Sequence, residues 1–532
     1  AGARDTLLLR AGDLAESASA AADGSDGWWW SVMGAAPVLG DDVRAVRAVS
    51  ASLDEAAGGA LVPLLTALVG VDHVAVDGRL DLDLVAALRP TFRDGAAALA
   101  RAEEAVAGVR ASRLVGPLRE AAETWGLAVE EASRATADAH ATLRVLPAML
   151  GGDEPQRILL VLQSNAEIRG SGGLPGAWSL IEARDGRLEV LRQGSGGEID
   201  GVDPAPVPTS AVEQGIWGPQ LGLYFRDATM TSDFPRAAEL MRAHWRAYGG
   251  APVDGVVSVD VVTMGYLLDG LGAVSVGGIR LDGDSAAPAL LNGVYEELTP
   301  AEQDAAFAAF TKAMVSGLTT REPRSTMDLL LGLGRAVSED RVHAAWTTPE
   351  VQEQLRGSRV GGALETEATA HPLVDVTLND ATGAKMSYFL RYEVDVEAVQ
   401  CGGGRQRLEG EMRLWQTVPP QKAARFDDYV TGGGRYGVPA GHQVVLVRVF
   451  GPVGGDVREV RLGERDLSTL APISTYDDRP VTTLALQPGA GSPTVVRWAM
   501  ITGDRQTGSP RVRVTPGVER GSSSASVPSA CG

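Results

Sequence analysis

Cysteine is nearly missing from this sequence: Cys401 and Cys531 are the two in 532 residues. Neither has a C-x-x-C spacing, which excludes the metal and redox sites built on it. A lone pair suits one structural bridge in an oxidising compartment, and two unpaired thiols are the other reading. Histidine is also scarce. Its six positions form no H-x-x-x-H or H-E-x-x-H pattern, so no zinc site is expected. Basic residues are in deficit, with 48 Lys and Arg against 68 Asp and Glu and a formal charge of −20. Such a field repels nucleic acid and anionic membrane surfaces and works against heavily phosphorylated substrates. An uncharged polymer such as a polysaccharide feels little of it, and the surplus also serves solubility. No run of eighteen or more uncharged apolar residues occurs and no signal peptide opens the chain. The abrupt helical start at "AGARDTLLLR" leads to the expectation of a membrane segment preceding residue 1.

What is present is 44% hydrophobic content, enough for two or three cored domains. Residues 1–150 repeat apolar positions every three or four residues and predict a helical stalk or bundle. The triplet Trp28, Trp29, Trp30 is expected in core or interdomain packing, with a carbohydrate platform as the alternative. Residues 151–368 alternate strands and helices and predict a layered α/β domain. There "RILLVLQ", "AWSLIEA" and "RLEVLRQ" read as strands, the last two joined by "RDGR". "DFPRAAELMRAHWRAYG" reads as a helix capped by Asp233. "TPAEQDAAFAAFTKAM" reads as another, with Thr299 capping and Gln303 near the capping-box position. Residues 369–532 carry about seven short alternating strands between Gly and Pro turns, a predicted β-sandwich. The fold class expected is therefore multidomain α/β: an N-terminal helical bundle, a central α/β sheet and a C-terminal β-sandwich.

The most distinctive stretch is "LLVLQSNAEIRGSGGLPGAWSLIEA". It reads as a strand, a polar loop with glycines at 170, 172, 173 and 176, and a second strand. The loop matches neither G-x-x-x-x-G-K-[ST] nor a strict G-x-G-x-x-G, so the nucleotide reading is weak. Its glycines permit close approach of backbone to a ligand.

Motif order in the middle domain resembles the LytR-CpsA-Psr phosphotransferases, which move glycans from a polyprenyl-pyrophosphate carrier onto the cell wall. "APVDGVVSVDVVTMGYLLDGLGAVSV" carries the resemblance, followed by the "LNG" of Leu291, Asn292 and Gly293 and a long helix. The whole chain is also similar to an actinobacterial envelope family of unknown function that joins a stalk, an "N-A-E-x-R-x-x-G-G" domain and a β domain. The cations that grip pyrophosphate in the phosphotransferases are missing at the matching places. Asn165, Glu167 and Arg169 take the first, "GGLPGAW" the second, Glu296 and Glu297 the third, and Lys312 is the cation kept in the fourth. Pyrophosphate recognition needs forked guanidinium donors, so the resemblance implies the fold more than the reaction.

The polar residues expected at the carboxyl ends of the strands are Gln163, Asn165, Glu167, Arg169, Glu198, Asp200, Arg226, Asp227, Asp233, Glu296 and Glu297. Carboxylates with amides and few arginines suit glycoside chemistry, where one carboxyl group donates a proton and a second attacks or activates water. The candidate catalytic residues are Glu167 as nucleophile or base, kept ionised by Arg169, with Asp227 or Glu296 as proton donor. The candidate substrate-binding residues are Gln163, Asn165, Arg169, Gly172, Gly173, Arg226 and Asp233. Each has a structural alternative. Glu167 could tether the loop through Arg169, Asp233 could cap a helix, Glu296 could complement a helix dipole, and Arg226 and Asp227 could form an exposed ion pair.

The leading expectation is an extracytoplasmic glycoside hydrolase or transglycosylase, secreted or membrane-anchored, needing no cofactor. The resemblance implies a furanose-rich cell-envelope polysaccharide, arabinan or galactan, as its partner. The alternatives are a phosphotransferase with Mg²⁺ held by Asp227 or Asp233, and an envelope scaffold binding glycan without catalysis.

Overall fold

A computed structural model describes residues 2–36, 39–201, 203, 205–469, 471, 473–521 and 524–531. The alanine-rich N-terminal third forms long helices because its small apolar residues recur on one face. They are α1 (Gly2–Ser25), α2 (Gly40–Ala56), α3 (Leu82–Val106) and α4 (Gly116–Met149). Helix α2 runs on through a π-turn, and the whole rod Gly40–Val69 is long and apolar enough to cross a membrane. Here Ala56 and Ala60 of that rod pack on Ala98 and Leu99 of α3. The tryptophan triplet departs from expectation. Trp28 is 75% exposed and Trp29 58%, because the six-residue helix Trp28–Met33 buries none of its residues.

The middle region is a five-stranded sheet of β1 (Gln156–Arg169), β2 (Gly172–Arg184), β3 (Arg187–Ser195), β4 (Gly255–Asp260) and β5 (Val342–Trp346). Their order is β3-β2-β1-β4-β5. The sheet is mixed: β1 and β4 pair in parallel, and every other neighbour is antiparallel. Alternation sends Leu159 and Val161 to one face and Leu160 and Leu162 to the other. The first face is covered by α5 (Phe234–Ala247), through Leu240, Met241 and Trp245. The second is covered by α6 (Val261–Leu271) and α7 (Pro300–Thr320), through Leu268, Phe310 and Met314. Between β2 and β3, Asp185 and Gly186 take positive φ, as a tight two-residue hairpin turn requires.

Two capping expectations shift by small amounts. Asp233 stands at the N-cap of α5, but its carboxylate accepts from Leu364 N at 3.1 Å instead of from a helix amide. At α7 the residue that reaches back to Thr299 N is Glu302, at 2.9 Å, while Gln303 donates to Leu298 O.

The C-terminal region has two six-stranded sheets around one core. The first contains β6 (Leu373–Asp380), β8 (Val445–Phe450), β10 (Ile473–Tyr476), β11 (Arg479–Leu486) and β13 (Arg511–Val514). The second contains β7 (Leu390–Gly402), Arg405–Gln416, β9 (Asp456–Leu462) and β12 (Thr494–Ile501). The strands at 456–462 and 473–476 went unread in the sequence because Arg, Glu and Ser interrupt their alternation. Cys401 and Cys531 are joined in a disulfide across 130 residues, which fastens the tail to the sandwich.

Candidate functional site

The glycine stretch is not a loop. Strand β1 continues through Asn165 and Glu167 to Arg169, and β2 begins at Gly172, so "SNAEIRGSGG" is the tip of one long hairpin. The register slips between Ser164 and Ile168, which bulges Asn165, Ala166 and Glu167 out of the ladder. Gln163 holds the hairpin by accepting from Gly173 N at 2.9 Å. Gly173 is needed because a Cβ there would lie 2.5 Å from Ser164 C, and a Cβ on Gly170 would lie 2.4 Å from Met230 O.

The hairpin tip stands on the edge of the sheet where β1 and β4 end, the place where open α/β sheets bind ligands. The C-terminal sandwich sits directly on that tip. Gly170 N donates to Asn379 Oδ1 at 3.1 Å, and Thr515 Oγ1 donates to Gly170 O at 2.9 Å. Ile168 N donates to Ser387 Oγ at 3.2 Å.

Glu167 lies inside this junction. Arg169 Nη2 donates to its Oε1 at 2.8 Å, and Lys385 Nζ donates to its Oε2 at 2.5 Å. Burial pushes the Glu167 carboxyl up, but the Lys385 ammonium and the Arg169 guanidinium outweigh it and hold the group at about 2. Burial lowers the Lys385 ammonium, and Glu167 reverses that, so its value is raised. Tyr295 and Tyr429 place their rings 5.5 Å from the ammonium. Both oxygens of Glu167 are thus occupied, the arrangement of a tether.

Asp227 shares the same arginine. Arg169 Nη2 and Nε donate to its Oδ1 at 3.1 and 3.2 Å. Glu167 and Asp227 are near neighbours with a guanidinium between them, so they do not bracket an open space. Burial raises the Asp227 carboxyl, against the pull of Arg169. Glu296 is elsewhere: it is exposed on Val294–Glu297 and accepts from Asn292 at 3.0 Å. Its neighbour Tyr295 is the residue that reaches the hairpin, 2.9 Å from Ser164 Oγ.

Beside this closed junction, at the end of β3, lies an open rim of carboxylates. Arg226 is exposed and pairs with Asp200, whose Oδ1 also accepts from Arg226 N at 3.1 Å. Glu198 accepts from Ser195 N at 3.0 Å and from Tyr248 OH at 3.2 Å. Asp304, on the first turns of α7, has its carboxyl raised by partial burial and by the charge of Glu198. Asp227 closes the inner side of the rim, its side chain 18% exposed.

A second buried group surrounds the end of β4. Asp260 Oδ1 caps α6 at Thr263 N, 2.7 Å, and its Oδ2 accepts from Asn165 Nδ2 at 3.0 Å and from Arg341 Nη1 at 2.6 Å. Arg341 also donates to Glu339 Oε2 at 2.7 Å.

Of the candidates read from sequence, Gln163, Asn165, Glu167, Arg169, Gly172, Gly173 and Asp227 come together at the hairpin tip. Arg226 stands on the adjoining rim, while Asp233 and Glu296 are occupied elsewhere. Lys385, Asp260, Arg341 and Asp304 were not foreseen. Lys385 carried a signal, being one of three lysines in a chain that otherwise uses arginine. Among the described residues no group of three His, Cys, Asp or Glu side chains is placed to hold a metal ion.

Residues 153–295, which contain the hairpin tip, most of the rim and Asp260, match the model of a family described as a protein of unknown function, DUF4012. The X-ray structure of the Lin1025 protein from Listeria innocua is similar over 46% of this chain and 86% of its own. Its identity is 11% and its TM-score 0.21. No curated protein matches the chain.

Proposed function

We propose that this chain acts outside the cytoplasm on cell-envelope polysaccharide, as a glycoside hydrolase or transglycosylase working from the open rim around Arg226. The observation that carries the reading is the presence of two exposed carboxylates at the rim, Glu198 and Asp304, near enough for the charge of the first to act on the second. Asp304, raised by burial and by its neighbour's charge, is suited to donate a proton to a leaving oxygen. Glu198, held by Ser195 N and Tyr248 OH, is the partner carboxylate that attacks or activates water. Glu167 then acts as a positioning residue: it fixes Arg169, which orients Asp227 at the rim. The disulfide supports an oxidising location. The furanose-rich substrate rests on the family resemblance alone.

The lipid-linked phosphotransferase reading finds less support. The layer between sheet and α7, where a polyprenyl chain would thread, is filled by Leu162, Val259, Leu291, Phe310 and Met314. A scaffold role is favoured by one observation, the complete pairing of Glu167 between the two halves of the molecule.

Arabinogalactan is incubated with wild type, Asp304→Asn, Glu198→Gln and Glu167→Gln, and products are read by chromatography and mass spectrometry. Oligosaccharides from wild type, with losses of about 100-fold or more in the two rim variants, support the enzyme. Glycan binding without any product from wild type moves the reading to the scaffold.

A further inference from the structure

The tip of the N-terminal helices, where α1 turns back into α2, is apolar and uncovered. Residues 27–40 contain no charged side chain. Among them Trp28, Trp29, Val32 and Leu39 are exposed, and Val115, from the turn between α3 and α4, is exposed as well. Both turns are fastened to the start of α2. Arg44 donates to Gly34 O, and Arg47 donates to Ser31 Oγ at 3.4 Å and pairs with Asp26 at 2.8 Å. Asp42 Oδ1 accepts from Val115 N at 3.1 Å, and Ala45 packs on Leu114.

At the same end, α2 and the turn after α3 border a hollow of about 380 Å³ lined by Asp41, Arg44, Val109, Arg110, Arg113 and Leu114. Arg44 pairs with Asp41. Arg110 and Arg113 are exposed, and among the described residues neither has a carboxylate partner. Arg119 fixes the turn that carries them by donating to Ala111 O, Ser112 O and Leu114 O at 3.0, 3.3 and 3.1 Å. Residues 26–47 and 107–119 together hold five arginines against three aspartates, so the sign of the charge reverses locally in a chain of net −20. Forked guanidinium donors around a hollow of this size match a phosphate and its substituent. Exposed indole rings match the boundary between headgroups and acyl chains, where an apolar ring and its N–H are both satisfied. A free phosphate would use the arginines alone and an apolar protein surface the rings alone, whereas an anionic bilayer uses both. Such a surface repels the rest of the acidic chain, so the tip is the end that approaches it.

We propose that the helical tip is a docking site for a bilayer containing anionic phospholipid. Arg110 and Arg113, with Arg44, hold a headgroup phosphate at the hollow, and Trp28 and Trp29 seat in the interface beside it. This site is independent of the glycan reading. Helix α4 runs 34 residues from the tip to the sheet, where Met149 shares a core with Ile158 and Ile181. At 1.5 Å per residue it sets the sheet about 50 Å from the docked lipid.

The test is co-sedimentation of the full chain with vesicles of phosphatidylcholine alone or mixed with an equal part of phosphatidylglycerol. Wild type is expected to bind the mixed vesicles, to release them at high salt, and to ignore phosphatidylcholine alone. Arg110→Gln/Arg113→Gln should weaken binding about thirty-fold. Tryptophan quenching by lipids brominated on the acyl chains should fall in Trp28→Ser/Trp29→Ser. All four positions are exposed, so both variants should melt with wild type. Equal binding by wild type and the arginine variant overturns the proposal, as does equal quenching in the tryptophan variant. Protection of amides 108–114 from hydrogen exchange by glycerol phosphate, without vesicle binding, overturns it in favour of a free-phosphate site. Self-association that is lost in Trp28→Ser/Trp29→Ser, again without vesicle binding, overturns it in favour of a contact between copies of this chain.

Discussion

Lys385 Nζ stands 2.5 Å from Glu167 Oε2 across 218 positions of sequence, and both groups are buried. The contact joins the hairpin of the middle sheet to the C-terminal sandwich, so the pair acts as a rivet between the two. Lys385→Met leaves the buried Glu167 with Arg169 alone, a guanidinium it shares with Asp227. The expected cost is about 3–5 kcal/mol, since removing one partner strands a buried charge. Denaturant unfolding checks it, and a loss under about 1 kcal/mol would deny the pair this role.

Acid sensitivity should have two components. His343 is buried against the Phe234 ring, and burial together with nearby Arg513 lowers it to about 3. Its unfolded counterpart titrates near 6.5, so between those values the unfolded chain binds more protons and stability falls as pH drops. Glu167, at about 2 against an unfolded 4.5, does the same over the lower interval. His343→Phe should flatten the decline between pH 6.5 and 3, and Glu167→Gln should flatten it between 4.5 and 2. Stability measured across pH for each variant decides whether these two groups carry the effect.

Gly170→Ala and Gly173→Ala each press a Cβ into backbone that cannot step aside, at Met230 O and Ser164 C. Overpacking of this kind costs about 1–3 kcal/mol. The damage should concentrate at the hairpin tip, seen as lost exchange protection at Ser171 and Gly173. By contrast, Gly201→Ala meets no atom within 4 Å, although its φ of 77° still brings some strain.

Trp28→Ser with Trp29→Ser should change stability by less than about 0.5 kcal/mol, the usual scale for surface positions. Both rings are exposed, so thermal melting of the double variant should overlay wild type. A drop of several degrees would mean that the rings are packed after all.

Periodicity in the sequence determined the helical N-terminus, the strand and helix alternation of the middle and the short strands of the last third. Local physics sets these, because burial on one face of an element repeats at 3.6 or 2.0 residues wherever the chain folds. The glycine-rich motif was legible as special, and Gly173 is indeed required by a close backbone approach. Its role was not legible. Glu167 and Arg169 looked like ligand groups because their partners Lys385, Asp227 and Asp380 lie 58 to 218 residues away. Only the docking of the sandwich on the sheet edge decided that this edge is largely covered, that Tyr295 rather than Glu296 turns inward, and that the open carboxylates lie at Arg226. Long-range pairing of charges follows from tertiary packing, where desolvation forces each buried ion to find an opposite one.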